Sequence, residues 1–239
     1  ARARALQSLQ EHLGLPAPPL RIECYDISTI QGSDTVGSMV VLEDGLPRRS
    51  DYKRFKVRTV PGQDDFAAME EVLARRFRNF VAEQEKPAAE RGRFAYPPSL
   101  VLIDGGAGQL GRAVRVLDEY GLDIPVAGLA KRMEEVYLPG RTEPVNIPRG
   151  EDALYLLQRV RDEAHRFALA YHRTLRGKRM IDSVLDSVPG IGPGRKKQLL
   201  RRFGSLKRMR AASEDALAEV VPSRVAADLY RVLHEEETP

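Results

Sequence analysis

One cysteine, Cys24, stands in 239 residues, so no disulfide can form within the chain and a reducing cytoplasm suits it. Set between Glu23 and Tyr25, it reads as core filling. No apolar run approaches the ~20 residues that a membrane-spanning helix needs. The opening ARARALQSLQEHLGL lacks the continuous apolar core of a secretory signal. It also lacks an initiator methionine, so the chain is expected to be a fragment or a processed product. What is present is ordinary for a globular protein with a full core and room for a second small module: 42% hydrophobic and 30% charged residues.

Acidic residues are scarce in one region. The net charge is only +4, yet residues 173–239 hold 14 Lys/Arg against 9 Asp/Glu, and 173–210 hold 12 against 2. The remainder, 1–172, carries 24 against 25. The positive field is therefore local, and a polyanion is its natural partner.

Along the chain, an opening helical segment closes at Pro16-Ala17-Pro18-Pro19, a stiff linker. Three strand-like runs follow, LRIECYDIS, TVGSMVVLEDG and SDYKRFKVRTV, parted by short turn signals. After Pro61-Gly62 the spacing of Phe66, Met69, Leu73, Phe77 and Phe80 predicts a helix over 64–83. A loop covers 85–98, then come a strand at 100–104, a helix over 108–120 and a strand IPVAGLA at 124–130. EEVYLPG adds a hairpin, and a helix is expected from 152 to 175. The expected fold class is α/β, a mixed sheet flanked by helices, followed by a small all-α domain. A right-handed crossover through the first helix would set the strand at 100–104 parallel and adjacent to the first strand. That pairing would bring Asp26 close to Asp104.

The stretch LVLIDGGAGQLG at 100–111 admits two readings. Gly106, Gly108 and Gly111 fit a dinucleotide cradle, with a strand before and a helix after. The acid that such a site needs about 20 residues on is misplaced: Asp123 precedes the next strand, and Glu134 and Glu135 lie beyond it. Asp104 would also face the pyrophosphate with like charge, and no Lys-Ser/Thr follows for a P-loop. The alternative makes Asp104 a ligand for Mg²⁺ or Mn²⁺, which takes one or two carboxylates with water and substrate phosphate. Asp26, alternating with Ile22, Cys24 and Ser28 on one strand face, is the second candidate. His165 in RDEAHRFALAYHR, beside Arg161 and Asp162 on a helix flank, is the third, as ligand or proton carrier. Asp64 and Asp65 open a helix, so capping accounts for at least one of them; Asp65 stays a lesser catalytic candidate. Glu23 and Glu163 are expected at the surface or behind the site.

The tail reads as two copies of a helix–hairpin–helix unit. In VPGIGPGRKK, Gly190, Gly192 and Gly194 permit a tight turn whose amides point outward at a helix start. Arg195, Lys196 and Lys197 follow on the first turn, where cations oppose the macrodipole unless an anion sits there. A backbone phosphate would resolve the conflict without reading sequence. The second copy has Pro222-Ser223-Arg224 in place of glycines and is expected to bind phosphate less well, if at all.

RIECYDIS–IQG, GLPRRSDYKRF, LVLIDGGAGQL, RDEAHRFA and VPGIGPGRKKQLL, in this order, resemble the carboxyl-terminal half of the UvrC family, the nuclease subunit of the bacterial UvrABC excinuclease. The resemblance implies an RNase H-like endonuclease domain at 20–173, a tandem helix–hairpin–helix DNA-binding domain at 182–239, a linker at 174–181, and a leading helix and linker at 1–19. It implies a divalent-metal-dependent 5′ incision beside a lesion in damaged double-stranded DNA, as part of nucleotide excision repair and the SOS response. The DNA would be presented by UvrB, with UvrA acting indirectly. The family's catalytic set falls on Asp26, Asp104 and His165, with a further acid on Asp65. Thr29 stands where the family often has a histidine, so that position is given no role. The UvrB-binding segment belongs to the family's amino-terminal half, so this chain is expected to bind UvrB weakly or not at all. Lys53, Arg54, Lys131 and Arg132 are expected along the DNA path. The rival readings are a DNA-binding module with an idle RNase H-like domain, and a dinucleotide enzyme.

Overall fold

The computed structural model describes residues 2–30, 34–60, 63–130, 132 and 134–235. The chain divides into two compact units, Ala1–Ala170 and Tyr171–Pro239.

In the first unit, α1 (Arg2–Leu13) sends Leu6, Leu9 and Leu13 into the core. β1 (Arg21–Ile30) pairs antiparallel with β2 (Asp34–Glu43). The two-residue turn Asp44-Gly45, both with positive φ (48° and 72°), leads into β3 (Leu46–Pro47). This is the backbone that an Asp-Gly hairpin favours. β4 (Lys53–Lys56) also pairs with β2. It is shorter than the expected run at 50–60, because Arg49–Asp51 form a turn of 3₁₀ helix before it.

α2 (Asp65–Gln84) carries the chain to β5 (Leu100–Asp104), which lies parallel to β1 as the crossover predicts. α3 (Ala107–Glu119) then leads to β6 (Val126–Leu129), parallel to β5. β7 (Glu135–Tyr137) and β8 (Val145–Asn146) add antiparallel strands. The main path of the sheet is β3-β2-β1-β5-β6-β7-β8. Leu100 to Ile103 of β5 are wholly buried, as a central parallel strand covered on both faces requires.

Strand alternation assigns the faces. Glu23 of β1 bonds Arg76 of α2, so the odd-numbered side chains of β1 face α2. Cys24 and Asp26 face the other way, toward the long helix α4 (Asp152–Asp186), which buries Leu154, Leu157, Val160 and Ala164 in the same core. Close packing at one crossing leaves no room for a side chain. A Cβ on Gly37 of β2 would lie 2.5 Å from Val72 of α2.

α4 runs eleven residues beyond the expected end at Leu175, and the segment 174–181, expected as a linker, is helical. Residues 174–181 lack an apolar stripe but contain mostly good helix formers, which suffice to continue an established helix.

The second unit is helical. The last turns of α4 join α5 (Pro193–Phe203), α6 (Leu206–Ala211), α7 (Glu214–Ala218) and α8 (Ser223–Glu235). Its own core includes Leu185, Leu199, Met209, Leu217, Ala226, Leu229 and Leu233. Ser205 and Ser213 cap α6 and α7 by accepting from the amides of Arg208 and Ala216. No helix among the described residues is long and apolar enough to cross a membrane.

Candidate active site

Asp26 and Asp104 are direct partners in the register of β1 and β5, and neighbouring strands run about 4.8 Å apart. Asp104 ends β5, so the pair opens at the carboxyl end of a parallel strand, where open α/β sheets bind ligands. The cleft there measures about 680 Å³, and its charged lining is Asp26, Asp65, Asp104 and Glu135 with Arg132 and Arg161. Asp64 caps α2 by accepting from the Ala67 amide at 3.0 Å. The adjacent Asp65 is thereby left to face the cleft, which divides the two acids as expected.

Burial dominates the electrostatics, with like charge second at Asp26. Burial, then the neighbouring Asp104, push the Asp26 carboxyl from 3.8 up to about 7, with Asp65 adding and Arg161 opposing. Burial also raises Asp104, against the charges of Arg161 and His165. Both shifts express first the cost of holding a carboxylate away from water, and at Asp26 also that of a like charge beside it. Arg161, on α4, places Nε 3.4 Å from Asp104 Oδ1 and donates from Nη1 to the Ala130 carbonyl at 3.4 Å. Cys24 is fully buried beneath the pair, and its thiol is pushed well up by burial and by both aspartates. It is the core residue the sequence predicts.

His165 lies one turn beyond Arg161 and is exposed. Asp104 senses its charge, but it does not line the cleft. Among the described residues, no three His, Cys, Asp or Glu side chains are grouped so as to hold one metal ion. The expected convergence of Asp26, Asp104 and His165 is therefore not assembled here, because Arg161 is the α4 side chain that reaches Asp104. The two aspartates alone still suit a Mg²⁺-type ion, which takes one or two carboxylates and completes its shell with water and phosphate.

Two of the glycines after Asp104 serve packing, while Gly106 and Gly111 face open space. A Cβ on Gly108 would lie 2.7 Å from Phe66 of α2, and one on Gly105 would overlap the Gln109 side chain. Of the three fingerprint glycines only Gly108 has a packing role; what counts against the dinucleotide reading is Asp104 at the mouth, which would repel a pyrophosphate.

The expected DNA-path residues separate. Lys53 stacks over Phe94, 5.3 Å from the ring centroid, while Arg54 lies 3.8 Å over Phe167 and donates to its carbonyl at 3.2 Å. Being consecutive on a strand, they point to opposite faces, so they do not form one cationic edge. Arg132 is exposed at the cleft; Lys131 lies outside the described residues.

In the hairpin of the second unit, Gly190 takes φ +91° and a Cβ there would meet Val225 of α8 at 3.0 Å. Gly192 caps α5 without a side-chain acceptor, Pro193 takes the first helical position, and Gly192 and Gly194 are exposed. Lys197 is exposed too. Lys196, however, pairs with Asp186 at 2.6 Å and Asp182 at 3.4 Å, and Arg195 folds back onto the Gly190 carbonyl. The unfavourable placement of Lys196 on the helix dipole is thus answered within the unit, without an external anion.

Sequence reasoning overlooked two features. Glu23, expected at the surface or behind the site, is fully buried on the opposite face of the sheet and bonded to a fully buried Arg76. The signal was an arginine inside the buried stripe Met69, Val72, Leu73, Phe77, which demands a buried acid opposite. Arg161 was noted only as a neighbour of His165, although it lies one helical turn away and shares its side of α4. Glu163 is half-buried: Tyr52 donates to it at 2.7 Å and Arg166 grips it through two bonds.

The mixed sheet sets two carboxylates abreast on its central parallel strands, Asp26 within β1 and Asp104 at the end of β5. The model of the UvrC RNase H endonuclease domain matches residues 10–169. The chain is 53% identical over 243 residues to the UvrABC system protein C of Parafrankia sp., covering 92% of this chain and 35% of that protein. It is 52% identical over 254 residues to the UvrABC system protein C of Acidothermus cellulolyticus, covering 98% and 40%. The chain belongs to the UvrC family, and it spans between a third and two-fifths of the length of these relatives. A crystal structure of human ENDOV overlaps 73% of this chain and 98% of its own at a TM-score of 0.36 and 14% identity, a likeness that carries no weight here.

Proposed function

We propose that the first unit is a divalent-metal-dependent DNA endonuclease that makes the 5′ incision beside a lesion in nucleotide excision repair, and that the second unit is a tandem helix–hairpin–helix module that holds the duplex through its phosphates. The observation that carries this reading is the Asp26–Asp104 pair, abreast in an open cleft and short of positive charge. Mg²⁺ or Mn²⁺, held by Asp26 and Asp104 with His165 or Asp65 in support, would lower the pKa of an attacking water and stabilise charge on the phosphate.

The chain's own residues supply the rest. Asp26, with its carboxyl near 7, is poised to take or release a proton around neutral pH when no cation compensates it. Exposed His165, one helical turn from Arg161, is free to carry a proton to or from solvent. Arg132 gives the cleft wall a cation for the DNA backbone. In the second unit, the exposed Gly192 and Gly194 at the uncapped start of α5 and the exposed Lys197 are the phosphate contacts we favour. Contacts of this kind weaken steeply as salt rises. UvrB would present the damaged strand in the longer protein, after UvrA has acted.

The test is nicking of supercoiled DNA by this chain across a Mn²⁺ and Mg²⁺ titration. Nicking that requires the ion and stops with chelator is expected. Absence of nicking at every ion concentration, with DNA binding intact, favours the second reading: a DNA-binding module whose nuclease fold is idle. Arg161 on Asp104, and the lack of a three-ligand group among the described residues, are what favour that reading.

A further inference from the structure

We infer that Arg161 is the resident counter-ion of the Asp26–Asp104 pair, and that a divalent cation must displace it to load. The inference rests on the reading of the cleft as a cation site. Its basis is the geometry of one guanidinium, which spans Asp104 at the end of β5 and the Ala130 carbonyl just past the end of β6. Each of these two contacts is 3.4 Å long, at the far edge of hydrogen bonding, though they are not all of the interactions Arg161 makes. The Arg161 side chain keeps 26% of its surface exposed, so it has room to leave.

Charge explains why it sits there. Four carboxylates line the cleft against two guanidiniums, and Arg161 is the cation acting on Asp26 and Asp104 alike. An arginine stays protonated at every working pH, so this counter-ion cannot be titrated away. It can only be outcompeted. One positive charge leaves the pair under-compensated, and a doubly charged ion of small radius replaces it at a net gain. Once displaced, the guanidinium is a planar donor suited to a phosphate. Ion loading and arrival of the DNA backbone would then favour one another, as linked equilibria must.

The alternative is a brace. If Arg161 serves only to tie β5 to β6, removing it loosens the cleft and weakens any ion held there.

Calorimetric titration of the whole chain with Mn²⁺, without DNA, separates the two. Arg161→Gln is expected to bind Mn²⁺ about fivefold more tightly than the parent, the scale of losing one partly exposed ion pair. Unchanged or weaker binding, with a parent that does bind, overturns the counter-ion role and leaves the cation site standing. No Mn²⁺ bound by either protein overturns both. Should Arg161→Gln fail to fold, Arg161→Met keeps an apolar stem without charge, and the same comparison is read from it. A melting curve alongside each titration shows whether the variant is folded.

Discussion

Glu23 and Asp26 lie three residues apart on β1, on opposite faces of one sheet, and meet opposite fates. Glu23 is fully buried, yet each of its oxygens is answered: Arg76 donates Nη2 to Oε1 at 2.7 Å and Nε to Oε2 at 3.2 Å, and Tyr25 donates its hydroxyl at 2.7 Å. Arg76 also donates from Nη1 and Nη2 to the carbonyls of Phe94 and Tyr96, both at 2.9 Å. Asp26 is less buried but stands beside another aspartate, with one guanidinium serving both. The lesson concerns compensation. A buried charge with a complete set of partners is architecture, whereas carboxylates grouped with their like are held ready for a cation.

Breaking the architectural side should give the largest effect on stability. Arg76→Ala leaves buried Glu23 with only the longer ion pair to Arg21, at 3.6 Å, and is expected to cost about 3–5 kcal/mol, read from urea unfolding. A cost below about 1 kcal/mol, on the scale of an exposed pair, would erase the contrast. Tyr25→Phe removes one donor to the same carboxylate and should cost about 1.5–3 kcal/mol in the same measurement.

On the other face the sign reverses. Asp26→Asn relieves like-charge crowding, so the chain without divalent ions should gain about 0.5–2 kcal/mol at pH 8. The pH dependence follows from the raised carboxyl. Between the ordinary value of 3.8 and about 7, the folded state binds more protons than the unfolded state. This group's contribution to stability therefore falls as pH rises through that window and is lost above it. Melting of the metal-free chain between pH 4 and 8 should show the decline, and Asp26→Asn should flatten it. An unaltered slope would mean that Asp26 is already satisfied, as Glu23 is.

Much of this was legible in the sequence, for identifiable reasons. Period-two alternation set Asp26 on the face of Cys24, and crossover topology placed β5 beside β1, so the Asp26–Asp104 pairing could be reached without coordinates. A local cap was legible in part: capping was expected of at least one of Asp64 and Asp65, and Asp64 provides it. Partners distant in the chain were not. Nothing near Glu23 in sequence announces Arg76, fifty-three residues away, and only the charged residue in the buried stripe of α2 hinted at it. Arg161 was passed over for His165 because both share one side of α4, and spacing alone does not decide which side chain reaches a strand end. The end of α4 was missed because residues 174–181 have no apolar stripe. Helix propensity, a weaker signal than periodicity, carried it on. Lys196 appeared to call for a phosphate until Asp182 and Asp186, on the preceding helix, turned out to face it.

The central claim is that the carboxylate pair performs chemistry on DNA rather than supporting the fold. Asp104→Asn tests it most directly, with nicking of duplex DNA in Mn²⁺ and DNA binding measured on the same preparation. Nicking should fall at least about 100-fold, the scale of losing one acid from a hydrolytic site, while binding and thermal stability hold or rise. Nicking at the parent rate, or binding lost along with it, would contradict the account.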